Sequence, residues 1–318
     1  MHFATTSLHD LTASSHPTTV ARRLTLGIAL GSGSARGWAH VGVLRALTEQ
    51  GIVPDCVAGS SMGAIVGAAF AAGRLEQLES WALSLDWRRL VGLLDVGLRG
   101  GLIKGDRLLE VFHGELVACQ FSELPVRFAA VATDLASGQE VWLREGKVSE
   151  AIRASCTVPG LFRPVLHEGR YLVDGGIVNP VPVSLCRAMG ADIVIAVDLN
   201  SDTMGRFARD NAVASTTSPD RPALLRALLP RRRDNPRGSD DGDVPPQPSM
   251  IEALLGAVDV MQVRIARSRL AGEPPDVLLS PRLGYLGLFE YHRAAVAITE
   301  GREVVARMLP AIRHALAT

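Results

Sequence analysis

The sequence predicts an α/β protein built on a mainly parallel central sheet with helices on both faces. Three observations predict it. Short, almost continuously apolar runs at 24–30 and 192–199 read as strands buried on both sides. Segments of helical composition separate the strands, as crossover units require. The chain has 318 residues and is 47% hydrophobic, which allows a large core.

The elements follow in order. Residues 1–23 are rich in Ser, Thr and His and lack an apolar h-region, so they read as a disordered tail. The strand at 24–30 leads through a Gly/Ser-rich turn to a helix over 37–50. A strand at 53–58 breaks at Gly59 and continues as a small-residue helix over 64–70. Residues 75–94 have helical composition, with Trp81 and Trp87 as packing residues. The glycines of 96–102 make a loop, and Asp106 caps a helix over 106–117. Paired strands over 126–135 and 139–144 flank Ala136-Ser137-Gly138. A short helix follows at 149–155, then two strands within 163–173, a helix over 181–189 and the strand at 192–199.

Composition changes at Ser201. Residues 201–249 are rich in Asp, Arg, Pro and Ser and read as a disordered or mobile insertion. An apolar island at 222–230 reads as a short docking helix, with a lid or membrane-touching segment as the alternative. A long helix over 250–271, a strand at 276–280 and helical sequence over 290–317 complete the chain. The expected organisation is a catalytic core over 24–200 and a C-terminal helical part over 250–318 packing on it.

Bulk chemistry excludes several classes. Thirty-three basic residues balance thirty-three acidic ones, so no basic field points to nucleic acid. No apolar run reaches the roughly eighteen residues of a membrane-spanning helix. Cys56, Cys119, Cys156 and Cys186 form no C-x-x-C pair and read as free thiols of a reducing compartment. The expectation is a cytoplasmic protein with room for peripheral membrane contact. No cofactor or metal is expected, and protein partners are not legible.

One motif carries chemistry. Gly59-Ser60-Ser61-Met62-Gly63 is a G-x-S-x-G sequence between a strand and a helix. Such a turn exposes a strained serine, Ser61, at a helix N-terminus that favours developing negative charge. Gly59 and Gly63 let strand and helix approach closely. Upstream, Gly31-Ser32-Gly33-Ser34-Ala35-Arg36-Gly37 lies between a strand and a helix and can present backbone N–H groups to an anion. It fits neither the dinucleotide glycine pattern nor a P-loop. For the base, Asp174 in Val173-Asp174-Gly175-Gly176 is either a tight turn or a carboxylate delivered to the nucleophile. Spacing does not choose between these. A histidine base is the usual expectation, yet His113, His167, His292 and His314 stand in no motif. His40 reads as structural.

Together the loop from Gly33 to His40, the elbow at Ser61 and Asp174-Gly175-Gly176 resemble the patatin-like phospholipases. The likeness is to bacterial cytoplasmic members grouped with the neuropathy-target-esterase family. The stretch 151–160 is similar to that family's helix and turn before the aspartate, and the resemblance spans about 26–199. It implies a three-layer sandwich with C-terminal helices, and a carboxylic ester hydrolase acting on a lipid or ester substrate. Ser61 would be the nucleophile and Asp174 the base, with no catalytic histidine. The backbone N–H groups of Gly33, Ser34, Ala35, Arg36 and Gly37 would form the oxyanion hole. Gly59, Gly63, Gly175 and Gly176 would support the turns. Ser32 and Ser34 replace glycines of the family pattern, where a positive φ would be strained. An aspartate is a weak base at neutral pH; partial desolvation beside Ser61 and precise positioning would help it, and the expectation is activity modest by hydrolase standards. The apolar run 158–162 reads equally as an acyl groove or as core. The alternative function is a weak or inactive regulatory binding protein on the same scaffold; a nucleotide-dependent enzyme is the third reading.

Overall fold

In the computed structural model the chain is described over residues 23–86, 118–202 and 250–317. The apolar runs become the middle of one sheet. Its strands are β1 (Leu26–Leu30), β2 (Cys56–Ser60), β3 (Arg127–Asp134), β4 (Glu140–Leu143), β5 (Val165–His167), β6 (Arg170–Asp174), β7 (Ile193–Val197) and β8 (Val277–Leu279). Hydrogen-bonded neighbours run β5-β6-β3-β2-β1-β7-β8, with β4 also on β3. The pairs β1–β2, β1–β7, β2–β3 and β7–β8 are parallel. β4, β5 and β6 add an antiparallel corner.

Helices α1 (Ala39–Glu49), α2 (Met62–Ala71), α3 (Leu75–Leu83), α4 (Val148–Ser155), α5 (Val183–Ala188), α6 (Met250–Gly272) and α7 (Ala294–Ala317) cover both faces. Strand alternation sorts the core into two layers. Leu26, Ile28 and Leu30 point one way, into a cluster with Val41, Leu44 and Leu47 of α1 and Ile298 and Val305 of α7. Ala29 points the other way, with Ala58, Ala129 and Ala196, toward Val183 and Leu185 of α5 and Ala266 of α6. Large side chains fill the first layer, and small ones let α5 and α6 lie close on the second. Burying one such Leu or Ile contributes about 1.5–3 kcal/mol.

Several boundaries differ from the sequence reading. The second strand spans Cys56–Ser60 rather than 53–58. Pro54 has no N–H to pair, and the Asp55 carboxylate instead accepts the Leu26 N–H. Pairing then runs on through Gly59 and Ser60, opposite Ala130 and Val131. The helix expected over 37–50 opens as a 3-10 turn, Ser34–Trp38, before α1. Helix α3 ends at Leu83, where the Ser84 hydroxyl donates to the Trp81 carbonyl. The helix over 181–189 narrows to Val183–Ala188, because Pro180 and Pro182 precede it. The tail, Trp87, the loop at 96–102, the helix at 106–117 with His113, and the insertion with its apolar island lie outside the described residues. All four cysteines are free thiols. Among the described residues no helix is long and apolar enough to cross a membrane.

Candidate active site

Strand β3 brings the two ends of the site together. Three strands pair with it, yet a strand has only two edges. β4 lies opposite Ala130 to Thr133. β2 pairs up to Val131, opposite Ser60, and β6 pairs from Ala132, opposite Asp174. Each therefore overlaps β4 in register, so β2 and β6 share the other edge, end to end. One is parallel to β3 and the other antiparallel, so their C-terminal ends meet. Residues 113 apart in sequence are delivered to neighbouring points.

At the end of β2 the chain bends through Ser61, at φ 54 and ψ −122. A non-glycine residue held there costs about 1–3 kcal/mol. Two consecutive residues of another segment hold it. The Ser61 N–H donates to Ser155 Oγ at 2.9 Å, and Cys156 Sγ donates to the Ser61 carbonyl at 3.2 Å. Helix α2 starts directly afterwards, and Gly63 lies so close to the Leu30 carbonyl that no Cβ would fit. Gly59 abuts Ala64 from the strand side.

The Ser61 hydroxyl donates to Asp174 Oδ2 at 2.6 Å. The other oxygen, Oδ1, accepts the Gly176 N–H at 2.7 Å. Asp174 is thus both the cap of a tight turn, Gly175–Ile177, and a partner of the serine. Its own backbone is fixed: its N–H donates to the Thr157 carbonyl and its carbonyl accepts from Thr133 Oγ1, both at 2.8 Å. Gly175 presses on the Val131 carbonyl, a place a side chain would fill. Only 1% of Asp174 is exposed. Burial pushes its carboxyl up from 3.8 to about 6, against the opposing pull of the Ser61 and Gly176 hydrogen bonds. A carboxylate so placed can accept the serine proton near neutral pH.

The Gly/Ser loop sits beside this pair. Gly31 N–H donates to the Val197 carbonyl and Ser32 N–H to Pro180. Ala35 N–H donates to the Leu288 carbonyl and Arg36 N–H to Gly33. Among the described residues the N–H groups of Gly33 and Ser34 have no protein acceptor. Of the amides expected to receive an anion, those of Ala35 and Arg36 are engaged, which narrows the free set. Gly37 packs on Met62, joining the loop to the start of α2 next to Ser61. Gly176 lies against Ser32 and Gln262. The Arg36 side chain is fully buried, pairs with Asp259 of α6 at 2.7 Å and also donates to the Gly33 carbonyl.

A family model for patatin-like phospholipase matches residues 28–187, which include both Ser61 and Asp174. The chain belongs to the patatin-like phospholipase family. An uncharacterized NTE family protein of Mycobacterium tuberculosis is 35% identical over 329 residues, covering 90% of this chain and 91% of that protein. A lysophospholipase of Aspergillus fumigatus is 32% identical over 202 residues, 57% of this chain but 12% of that far longer protein. Among solved structures, VipD from Legionella pneumophila covers 91% of this chain and 77% of its own, at 12% identity and a TM-score of 0.37.

In this patatin-like chain the histidines of the described residues stand apart from the Ser61–Asp174 pair. His40 is buried and bonds through Nε2 to the Gly31 carbonyl at 2.7 Å, so this nitrogen donates. Burial lowers its pKa to about 4 and keeps it neutral. Among the described residues no histidine is bonded to Ser61 or Asp174. The serine substitutions in the loop behave differently from each other. Ser34 takes a positive φ of 51, whereas Ser32 does not. Ser155, Cys156, Leu288 and Tyr291 escaped the sequence reading as site residues. For the first two a signal existed: they are small polar residues at the end of the amphipathic helix Val148–Ser155, within the stretch 151–160 already singled out.

Proposed function

We propose that this protein is a serine lipid acyl hydrolase, a carboxylic ester hydrolase working through an acyl-enzyme. Membership of the patatin-like phospholipase family supports lipid hydrolysis, and one relative is named a lysophospholipase. The observation that carries the finer reading is the 2.6 Å hydrogen bond from Ser61 Oγ to a buried carboxylate whose pKa is about 6.

The steps follow from the residues. Ser61 Oγ attacks the ester carbonyl carbon while its proton passes to Asp174 Oδ2. The carbonyl oxygen becomes an anion and is received by the N–H groups of Gly33 and Ser34 and the first turn of α2. As the tetrahedral centre collapses, the C–O bond to the alcohol breaks and Asp174 returns the proton to that oxygen. The acyl group remains on Ser61. Water then attacks the same carbon, Asp174 takes its proton, and the fatty acid leaves as the proton returns to Ser61. Val158, Pro159, Leu161 and Phe162 are only half-buried and follow the Thr157 carbonyl that holds Asp174. This favours the acyl-groove reading of that run over the core reading. The core over 24–200, with 250–318 packed on it, is proposed as the catalytic unit of a cytoplasmic enzyme that meets lipid at a membrane surface.

The test is labelling with a fluorophosphonate and turnover of a short-chain ester. Wild type should do both, while Ser61→Ala and Asp174→Asn should lose turnover by roughly a thousandfold or more. Full turnover in both variants rejects the assignment. An unlabelled, inert wild type would instead favour a regulatory binding protein.

A further inference from the structure

We infer that the segment from Leu288 to Tyr291 is the positioning element of the oxyanion loop, and that it acts through the Ser34 hydroxyl. This rests on the reading of the Gly33 and Ser34 amides as oxyanion donors. Ser34 stands at φ 51, a backbone state natural to glycine and strained for serine. Its side chain is not idle. Ser34 Oγ lies 2.6 Å from the Leu288 carbonyl and 2.7 Å from the Tyr291 hydroxyl.

The proton count fixes the directions. A carbonyl only accepts, so the single Ser34 hydroxyl proton goes to Leu288, and Tyr291 must donate to Ser34. The Leu288 carbonyl also accepts the Ala35 N–H at 3.1 Å. One carbonyl therefore holds both the side chain of Ser34 and the next amide along the loop. Tyr291 is anchored in turn. Its carbonyl accepts from Trp38 Nε1 at 3.2 Å, and its ring meets Trp38 edge-on at 6.4 Å. Burial pushes the Tyr291 phenol up to about 12, so it remains a donor at any assay pH.

A glycine at position 34 would reach this conformation without help and would leave it as freely. A serine reaches it only while both hydrogen bonds hold, and the direction of the Ser34 N–H is then set by a segment about 250 residues away. Tyr291 is a positioning residue in this scheme: it acts on the loop through the Ser34 hydroxyl. The consequence is an unusual ranking. Alanine at 34 keeps the strained Cβ and loses both bonds, whereas glycine loses the bonds and the strain together.

The experiment is a double-mutant cycle on the full chain, reading kcat and KM for a short-chain ester, the labelling rate of Ser61 by a fluorophosphonate, and the melting temperature. Tyr291→Phe is expected to lower kcat and the labelling rate about tenfold, with KM within about twofold. Ser34→Ala should lose more than Ser34→Gly. In the Ser34→Gly background, Tyr291→Phe should cause no further loss of kcat. If Tyr291→Phe costs the same factor in both backgrounds, or acts through KM alone, its role is packing against Trp38 and the inference falls. The comparison of Tyr291→Phe in the two backgrounds remains decisive even if Ser34→Ala fails to fold. A wild type inert to both ester and probe overturns the hydrolase reading and this inference with it; an active wild type with additive losses overturns only the inference.

Discussion

Asp174→Asn should make the protein more stable at neutral pH while removing its turnover. In the folded chain the Asp174 carboxyl titrates at about 6, against an ordinary 3.8, because burial disfavours the charged form. Below 3.8 both folded and unfolded chains hold the proton, and the group contributes nothing. Between 3.8 and about 6 the unfolded chain has released its proton and the folded chain has not, so stability falls as pH rises. Above about 6 the loss is complete. A gap of about two pKa units corresponds to roughly 3 kcal/mol at about 1.36 kcal/mol per unit. Asparagine is neutral throughout and keeps the shape. Its oxygen can still accept from the Gly176 N–H, and its amide can donate to Ser61 Oγ, the two partners the carboxylate now has. Urea denaturation of both chains from about pH 4 to about pH 8 isolates the effect, since every other group cancels in the difference. The variant should gain up to about 3 kcal/mol over wild type across that range. A difference that stays flat with pH, or a variant less stable than wild type at the alkaline end, refutes the argument.

On the proposed mechanism, turnover by wild type should rise with pH through a single ionisation at about 6 and then level off, because Asp174 as base must be charged to act; a profile flat between about pH 5 and about pH 8 would remove Asp174 from that role. Ser61→Gly should be more stable than Ser61→Ala by about 1 kcal/mol, since glycine tolerates the positive φ that alanine does not. Denaturant midpoints of the two inert variants give the comparison. Ser155→Ala leaves the Ser61 N–H without its acceptor, and should cost about 1–3 kcal/mol of stability and lower ester turnover together.

What could be read from the sequence has local causes. The central strands are legible because they are short, almost continuously apolar runs, although the one expected to break at Gly59 pairs on through Ser60. The elbow is legible because two glycines bracket a serine at a strand-to-helix break. Asp174 is different. Asp-Gly-Gly is turn chemistry, and the residue does make that turn. Its second bond, to Ser61, exists because β6 completes the edge of β3 that β2 leaves vacant. That is a pairing between distant segments, and no window of sequence contains it. The loop amides show the same limit. Whether Ala35 N–H is free depends on the Leu288 carbonyl, and nothing near residue 35 announces it. Ser34 could be expected to be strained, but what holds it in place could not.

On the proposed mechanism, an aspartate can replace histidine only if something supplies what histidine has intrinsically, a pKa near neutrality. Here burial supplies it. The notch where β2 and β6 meet excludes water from Asp174, and only two donors among the described residues, Ser61 and Gly176, reach its carboxylate oxygens. A third strong donor would pull the carboxyl back toward its ordinary value and weaken the base; a more open notch would do the same by hydration. The raised pKa and the lost stability are therefore one quantity, and selection for activity cannot reduce the second without reducing the first. Ser61 obeys the same logic, because the backbone state that exposes its hydroxyl is the one that costs energy. Such states persist only where other segments hold them. That explains why the contacts around the site come from far along the chain: Ser155 and Cys156 on the nucleophile, Thr157 on the base, Leu288 and Tyr291 on the loop. Weakening any of these supports should relax the site toward ordinary geometry, and activity should fall before the fold does.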